Sequence, residues 1–264
     1  MKKYIYSYFI ISILLSTSCS DFLEKYPLDS PSDKTFLANE TEIEMAVVSC
    51  YTNLYTTWEG MPFFLAFEEL SDNGWDRNTN DVQQMSQGAN DATSTFAKDV
   101  WRSCYSGISR CNYLINKISK AEGISTEVIS QAKAEAQFLR AYYYSYLIDL
   151  YGDVPLILET LTLENAQVPR NSKEEVLNHI FKDFDEAAAV LKETNNPTSG
   201  RPSKLAALAL KARIALYNQK WDVAINAASE VMKYEGSQVL LDPSFSHLFT
   251  YPGQTSKEII FSIQ

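Results

Sequence analysis

The sequence is poor in the residues that mark irregular or catalytic chains. Of its 264 residues only 9 are Gly, 9 are Pro and 2 are His. So little Gly and Pro excludes a collagen-like or disordered chain and favours regular structure. With two histidines no Ser/His/Asp triad can be assembled with conviction, and neither a His-Glu-x-x-His zinc motif nor a phosphate-binding glycine loop is present.

Cysteine and positive charge are also scarce. The 4 Cys exclude a disulfide miniprotein, and no Cys/His spacing typical of a metal site occurs. Lys and Arg number 23 against 33 Asp and Glu, for a net charge of -10. The basic residues are scattered among acidic ones, so they form no cluster that could neutralise phosphates, and we exclude nucleic acid as a partner.

Long apolar runs are absent beyond the first segment. The run from Tyr4 to Leu15 follows two lysines and is too short to cross a bilayer core of about 30 Å, which is typical of a secretion signal. Small residues at 16–18 then precede Cys19, which resembles a bacterial lipoprotein signal. We therefore expect residues 1–18 to be removed and Cys19 to carry the lipid that anchors the protein to a membrane. The alternative is a plain signal peptide in which Cys19 is incidental.

Three cysteines remain after this anchor. Cys104 and Cys111 lie on one predicted helix, and the rise per residue places them about 10 Å apart. A disulfide needs Cα atoms within about 7 Å, so this pair cannot close. We expect Cys50, Cys104 and Cys111 to be buried free thiols.

Apolar residues recur at steps of three and four along most of the chain, which predicts an all-α fold. Thr41 with Glu44, and Ser172 with Glu175, match the capping-box pattern at two helix starts. The apolar run Ile259 to Ile263 looks like the start of a strand. The predicted helices run from Thr41 to Trp58, Ser94 to Lys120, Ser125 to Tyr151, Ser172 to the Asn196-Pro197 stop, Ser203 to Asn218, and Asp222 to Tyr234.

The last two predicted helices are joined by only Gln219-Lys220-Trp221. A connection this short makes the two helices antiparallel neighbours. Helix, short turn and helix, with Tyr217 and Trp221 at the bend, resembles the tetratricopeptide repeat, although the Trp and Gly positions of that repeat's first helix are not filled.

The segment from Ser71 to Asp91 is long, polar and rich in Asn, Gln and Asp. Loops of this length are often functional. Sugars are bound by aromatic faces and by planar amide, carboxylate and guanidinium groups, so this loop has suitable chemistry. The alternative is that the tryptophan folds back and fixes the loop to the helices. The candidate ligand-binding residues are Trp75, Asn73, Asp76, Arg77, Asn78 and Asn80.

The same loop raises the question of calcium. Asp76, Asn78 and Asn80 match the first three ligand positions of an EF-hand loop. Asp81 occupies the position of the required Gly, and Gln87 that of the bidentate Glu, which argues against an EF-hand. A looser calcium site is left open, and we predict no metal and no cofactor.

Acidic pairs could serve a glycoside hydrolase, which uses two carboxyl groups about 5 to 10 Å apart. The adjacent acids are Glu68-Glu69 and the nearby pair Asp183 and Asp185. In a chain with 33 acidic residues such pairs arise by chance, so we interpret them as solvated surface groups.

Several motifs taken in order resemble the SusD/RagB family, the lipid-anchored nutrient-binding proteins of Bacteroidota outer membranes. The strongest match is AEAQFLRAYYY at 134–144, continuing to LYGDVPL at 150–156. Further matches lie at 19–24, 101–105, 110–115, 169–176, 200–204 and 258–263.

The resemblance implies a SusD-like α-helical fold with tetratricopeptide-like helix pairs at about 125–234. Residues 19–264 would be its amino-terminal helical region, apparently truncated at the carboxyl end. It also implies a protein at the outer membrane, facing the cell exterior, that captures oligosaccharides without catalysis and delivers them to a SusC-like TonB-dependent transporter. The alternatives are binding of peptides or other nutrients, a scaffold that only docks the transporter, and a glycoside hydrolase.

Overall fold

The computed structural model describes residues 36–55, 57–58, 61–62, 67–75, 81–89, 91–196 and 198–263. The predicted signal at 1–18 and the predicted anchor Cys19 lie outside the described residues. Within the described part, the chain is mainly helical, as the periodicity predicts. The α-helices are α1 (Glu40–Tyr51), α2 (Asp81–Ser86), α3 (Thr95–Ile118), α4 (Thr126–Tyr151), α5 (Lys173–Val190), α6 (Lys204–Tyr217) and α7 (Trp221–Met232).

A small ribbon and three short 3-10 turns also occur in the described residues. Strand β1 (Thr57–Trp58) pairs antiparallel with β2 (Met61–Pro62), and Trp58 lies opposite Met61. The 3-10 turns are Thr52–Tyr55, Phe245–Phe249 and Pro252–Thr255.

Serine caps fix the starts of four long helices at the predicted positions. Each serine hydroxyl accepts a hydrogen bond from a backbone amide in the first helical turn, which satisfies a donor that the helix itself leaves unpaired. At α5 the predicted capping box is complete, since Glu175 also accepts from the Ser172 amide. The four caps are Ser94, Ser125, Ser172 and Ser203.

The prediction for the first helix is wrong at both ends. Asn39, not Thr41, is the cap: its side chain accepts from the Glu42 amide at 3.0 Å, and Glu42 in turn accepts from the Ala38 amide at 2.9 Å. Asn is a stronger cap than Thr. The helix ends at Tyr51 because the following Thr- and Asn-containing residues have weaker helix propensity and tighten into a 3-10 turn.

Two predictions nearer the carboxyl end also need correction. Helix α5 ends at Val190, and Leu191 is already extended at its cap, so the Asn196-Pro197 stop lies beyond the helix. Residues 259–263 form no strand, because no neighbouring strand is placed beside them in the described part of the chain. Instead the ring of Phe261 packs edge-on against Phe138, with centroids 5.2 Å apart.

Helix α4 is the centre of the fold. It packs against α3 and α5 and also contacts α1 and α6. Gly107 of α3 faces the ring of Tyr143, and a Cβ at this glycine would lie 2.4 Å from a ring carbon. The absent side chain therefore allows α3 and α4 to approach closely.

Helices α6 and α7 pack along each other as the predicted helix pair, with Ala224 and Ala227 buried. The turn between them places Gln219 in the left-handed region, at φ 58°. The tetratricopeptide-like description fits this arrangement. Among the described residues no helix combines the length and apolar character that a membrane crossing needs.

Candidate functional site

The start of the polar loop is anchored by an aromatic side chain. Phe67 stacks on Tyr146 of α4, with centroids 5.4 Å apart and planes 12° apart, and meets Phe96 of α3 edge-on at 6.0 Å. Tyr146 also shares a hydrogen bond of 2.8 Å with Tyr142. The loop therefore leaves the helical core from a fixed point.

A tight turn follows this anchor and leads to the tryptophan. The amide and hydroxyl of Ser71 both donate to the Glu68 carbonyl, at 3.2 and 2.7 Å, and the Ser71 hydroxyl accepts from the Asn73 amide at 3.1 Å. A Cβ at Gly74 would lie 3.0 Å from the same carbonyl oxygen, so glycine suits this close approach. These contacts hold the backbone that presents Trp75.

Trp75 is 70% exposed. It does not pack back onto the helices, which was the alternative that its sequence left open. Asn73 is exposed in the same turn. An indole ring held in solvent by an ordered turn can stack on the C–H face of a sugar. The other predicted ligand residues, Asp76, Arg77, Asn78 and Asn80, lie outside the described residues.

The next described residue, Asp81, serves the fold. Its carboxylate accepts from the Thr95 amide, from the Thr95 hydroxyl at 2.8 Å and from the Phe96 amide at 3.1 Å, which holds it at the amino end of α3. Burial alone would raise the pKa of Asp81, but these hydrogen bonds outweigh it and lower that pKa. The Asp81 carboxylate, which follows the calcium-like pattern in the sequence, therefore caps α3. No cluster of three His, Cys, Asp or Glu residues able to hold a metal occurs in the described residues.

The interior holds a charged network that sequence reasoning missed. Arg140 of α4 is 5% exposed, and its Nε and Nη2 donate to the two carboxylate oxygens of Asp183 on α5, both at 2.8 Å. Its Nη1 donates to the Asn112 amide oxygen at 2.8 Å, and Asn112 donates to the Ile157 carbonyl at 2.8 Å. Burial alone would raise the pKa of Asp183, but hydrogen bonds from Arg140 lower it. We call these four residues the Arg140 network.

This network removes one of the acidic pairs from consideration as a hydrolase site. Asp183 is 1% exposed and bonded to Arg140, so the prediction that it is a solvated surface group is wrong, and no substrate reaches it. Its partner in the pattern, Asp185, pairs with Lys211 at 2.6 Å. His179 lies beside the network, with Nε2 3.4 Å from the Asp183 carboxylate. Arg140 follows Phe138 and Leu139 in the sequence, and a charge beside large apolar residues was a signal of this network.

A second charged cluster joins the first helix to the loop before α6. Arg201 Nη1 donates to Glu135 at 2.8 Å, and Nη2 donates to Glu44 of α1. The Tyr51 hydroxyl donates to the same Glu135 oxygen at 2.7 Å, and the guanidinium carbon lies 5.2 Å from the Tyr51 ring centroid. Burial first, and Glu135 second, raise the pKa of Tyr51. We call these four residues the Arg201 clasp.

The turn between α6 and α7 exposes a group of large apolar side chains. Trp221 is 56% exposed and Tyr217 is 69% exposed. Exposed apolar groups that lie together often mark a protein interaction site. We call this set the bend patch, and its members are Leu216, Tyr217, Trp221 and Ile225.

Comparison with known proteins matches the chain to one family. The SusD-like family model described as "Starch-binding associating with outer membrane" matches residues 21–216. The chain is 28% identical over 272 residues to SusD-like protein P25 of Formosa agariphila, covering 97% of this chain and 50% of that protein.

Solved structures agree with this match. A SusD-like carbohydrate-binding protein from Bacteroides fragilis superposes with a TM-score of 0.76 at 29% identity, covering 86% of this chain and 46% of that one. A laminarin-binding SusD-like protein has a TM-score of 0.76 at 26% identity, covering 84% and 50%. The chain thus spans about half the length of the relatives it matches.

Proposed function

Since this chain belongs to the SusD-like family of outer-membrane proteins, we propose that it captures oligosaccharides at the cell surface and passes them to a SusC-like TonB-dependent transporter. The observation that carries the sugar-binding part is Trp75, a tryptophan 70% exposed on an ordered turn. The laminarin-binding relative supports a glycan as the ligand class.

The site works by binding alone in this proposal. The Trp75 ring stacks on a sugar face. Hydrogen bonds to the sugar hydroxyl groups come from Asn73 and from the predicted residues Asp76, Arg77, Asn78 and Asn80. Neither carboxylate of the Asp183 and Asp185 pair is free, which counts against the hydrolase alternative. Incubation with labelled glucans is expected to release no new reducing ends.

Transporter docking is assigned to the bend patch, because its exposed aromatic and aliphatic side chains would bury apolar area against a protein partner. This surface lies on the tetratricopeptide-like helices, and the Trp75 turn lies elsewhere in the sequence. The two tryptophans therefore give a matched pair of variants, both exposed and each serving one binding event.

The experiment is a crossed comparison. Isothermal titration against laminarin and starch oligosaccharides, and against peptides as the non-sugar alternative, would identify the ligand of the unaltered protein. Trp75→Ala is expected to lower glycan affinity at least tenfold and leave transporter capture unchanged. Trp221→Ala is expected to weaken transporter capture and leave glycan affinity unchanged. Equal glycan affinity for Trp75→Ala and the unaltered protein would refute the loop assignment.

The membrane anchor has its own test. We propose that Cys19 is the acylated first residue of the mature protein. Cys19→Ser is expected to leave the protein in the soluble fraction of cell lysates, whereas the unaltered chain fractionates with outer membranes. Membrane association that persists in Cys19→Ser would contradict the anchor.

A further inference from the structure

Two of the three buried cysteines lie on neighbouring helices. Cys50 of α1 and Cys111 of α3 are both 0% exposed, and the two helices pack together. The Cys50 thiol donates to the Ala46 carbonyl at 3.4 Å. Burial first, and Cys50 second, raise the pKa of the Cys111 thiol. Both cysteines are free thiols in this structure, as the sequence predicts.

The surrounding contacts fix this pair in place. The hydroxyl of Tyr143 donates to the Cys50 carbonyl at 2.7 Å, which ties the end of α1 to α4. Gly107 lets the same tyrosine ring lie against α3, the helix that carries Cys111. Cys104 lies two turns earlier on α3, about 10 Å from Cys111 along the axis, which is too far for a bridge within the helix.

Members of this family associate with the outer membrane, outside the reducing cytoplasm, where disulfides form and persist. We propose that Cys50 and Cys111 form a disulfide in the exported protein, and that Cys104 stays a free thiol. The three cysteines that follow the predicted anchor would then be one disulfide and one buried free thiol. The proposal is independent of which ligand the Trp75 loop binds.

The oxidation needs an electron acceptor, and an exported dithiol–disulfide oxidoreductase in its disulfide form has the required chemistry. One cysteine thiolate attacks that disulfide and forms a mixed disulfide, and the second cysteine displaces the enzyme. The two thiols lose two protons and two electrons, and the enzyme leaves as a dithiol. In the folded protein Cys50 and Cys111 are both 0% exposed, so an oxidoreductase cannot reach them, and burial also raises the pKa of the Cys111 thiol. The bridge therefore forms before α1 packs onto α3.

A bridge here would close the chain segment that contains the Trp75 turn. Closing a loop of about 60 residues removes enough entropy from the unfolded chain to raise the melting temperature by about 10 °C in a protein of this size. Reduction is then expected to lower the melting temperature by a similar amount.

Trypsin separates the three cysteines, which makes the direct test simple. Cleavage after Lys and Arg places Cys50 on peptide 35–77, Cys104 on 103–110 and Cys111 on 111–117. The full chain is isolated from outer membranes, alkylated with iodoacetamide in denaturant, and digested without reductant. Mass spectrometry is expected to find 35–77 linked to 111–117, with 103–110 alkylated. Alkylation of all three cysteines, or a link through 103–110, would overturn the proposal.

Melting curves provide the second arm. The unaltered protein and Cys104→Ala are expected to lose about 10 °C on reduction, whereas the double variant Cys50→Ala, Cys111→Ala is expected to show no shift. A melting temperature of the unaltered protein that does not respond to reductant contradicts the bridge. Should the double variant fail to fold, the peptide masses of the unaltered protein and of Cys104→Ala decide the question.

Discussion

The Arg140 network and the Trp75 turn differ in almost every physical respect. Arg140 and Asp183 are charged and 5% and 1% exposed, while Trp75 is apolar and 70% exposed. Each is therefore the opposite of what hydrophobic burial alone would arrange. The buried charges are tolerated because each is paired and hydrogen bonded, and they specify how α3, α4 and α5 meet. Most of the Trp75 ring lies outside the packed core, which is why we propose a ligand for it.

The largest expected effect on stability comes from removing one charge of the buried Arg140 network. Arg140→Met would leave the Asp183 carboxylate buried without its partner, and we expect a loss of about 3 to 5 kcal/mol in the free energy of unfolding. Urea denaturation measures this loss. The double variant Arg140→Met, Asp183→Leu removes both charges and is expected to recover most of it. A single variant as stable as the unaltered protein would mean that the network does not hold the helices together.

The close approach of α3 and α4 gives the next largest effect. Gly107→Ala would place a methyl group 2.4 Å from the Tyr143 ring, and we expect overpacking to cost about 1 to 3 kcal/mol. Ser106→Ala, at the exposed neighbouring position, is the matched control and is expected to change stability little. Equal melting temperatures for the two variants would contradict the packing argument.

A smaller effect is expected from acid. The pKa of Asp183 is lowered in the folded protein, so the unfolded chain takes up its proton first as the pH falls. Its stabilising contribution is present above the ordinary Asp pKa of about 3.9 and is lost as the pH drops through the lower folded value. Urea denaturation between pH 6 and pH 2 is expected to show that the free energy of unfolding falls less steeply with decreasing pH in Asp183→Asn than in the unaltered protein. An equal pH dependence in the two proteins would contradict the stabilising role of the Asp183 carboxylate.

The smallest effect on stability is expected at the surface. Trp75→Ala is expected to change the free energy of unfolding by no more than about 0.5 kcal/mol, because the ring is exposed and the turn is held by backbone and Ser71 contacts. Urea denaturation checks this alongside the glycan titration. A marked loss of stability would show that the ring supports the loop, and the comparison with Arg140 would then fail.

Local signals predicted the helical part of this fold well. The serine caps at Ser94, Ser125 and Ser172 act through amides within their own first turn, so their evidence lies within a few residues of sequence. The resemblance in 134–144 also pointed to the family, and the family model confirms it.

Contacts between residues far apart in the sequence could not be predicted from such local signals. Asp183 lies 43 residues after Arg140, and Glu135 lies 66 residues before Arg201, so no local pattern links these partners. The end of α1 was missed because apolar spacing continued through residues whose backbone turns instead. The ligand role of the Trp75 loop stays a prediction, since sugar recognition depends on side-chain placement that spacing does not encode.

The Arg201 clasp has a consequence for the order of folding. Glu44 and Arg201 are 157 residues apart in sequence, yet their side chains meet. Contacts of such long range form late, because a large loop must close before they contribute. Glu44 is therefore made well before the arginine that pairs with it. Until Arg201 arrives, α1 is held only by its packing on α3 and α4, which lie nearer in the sequence.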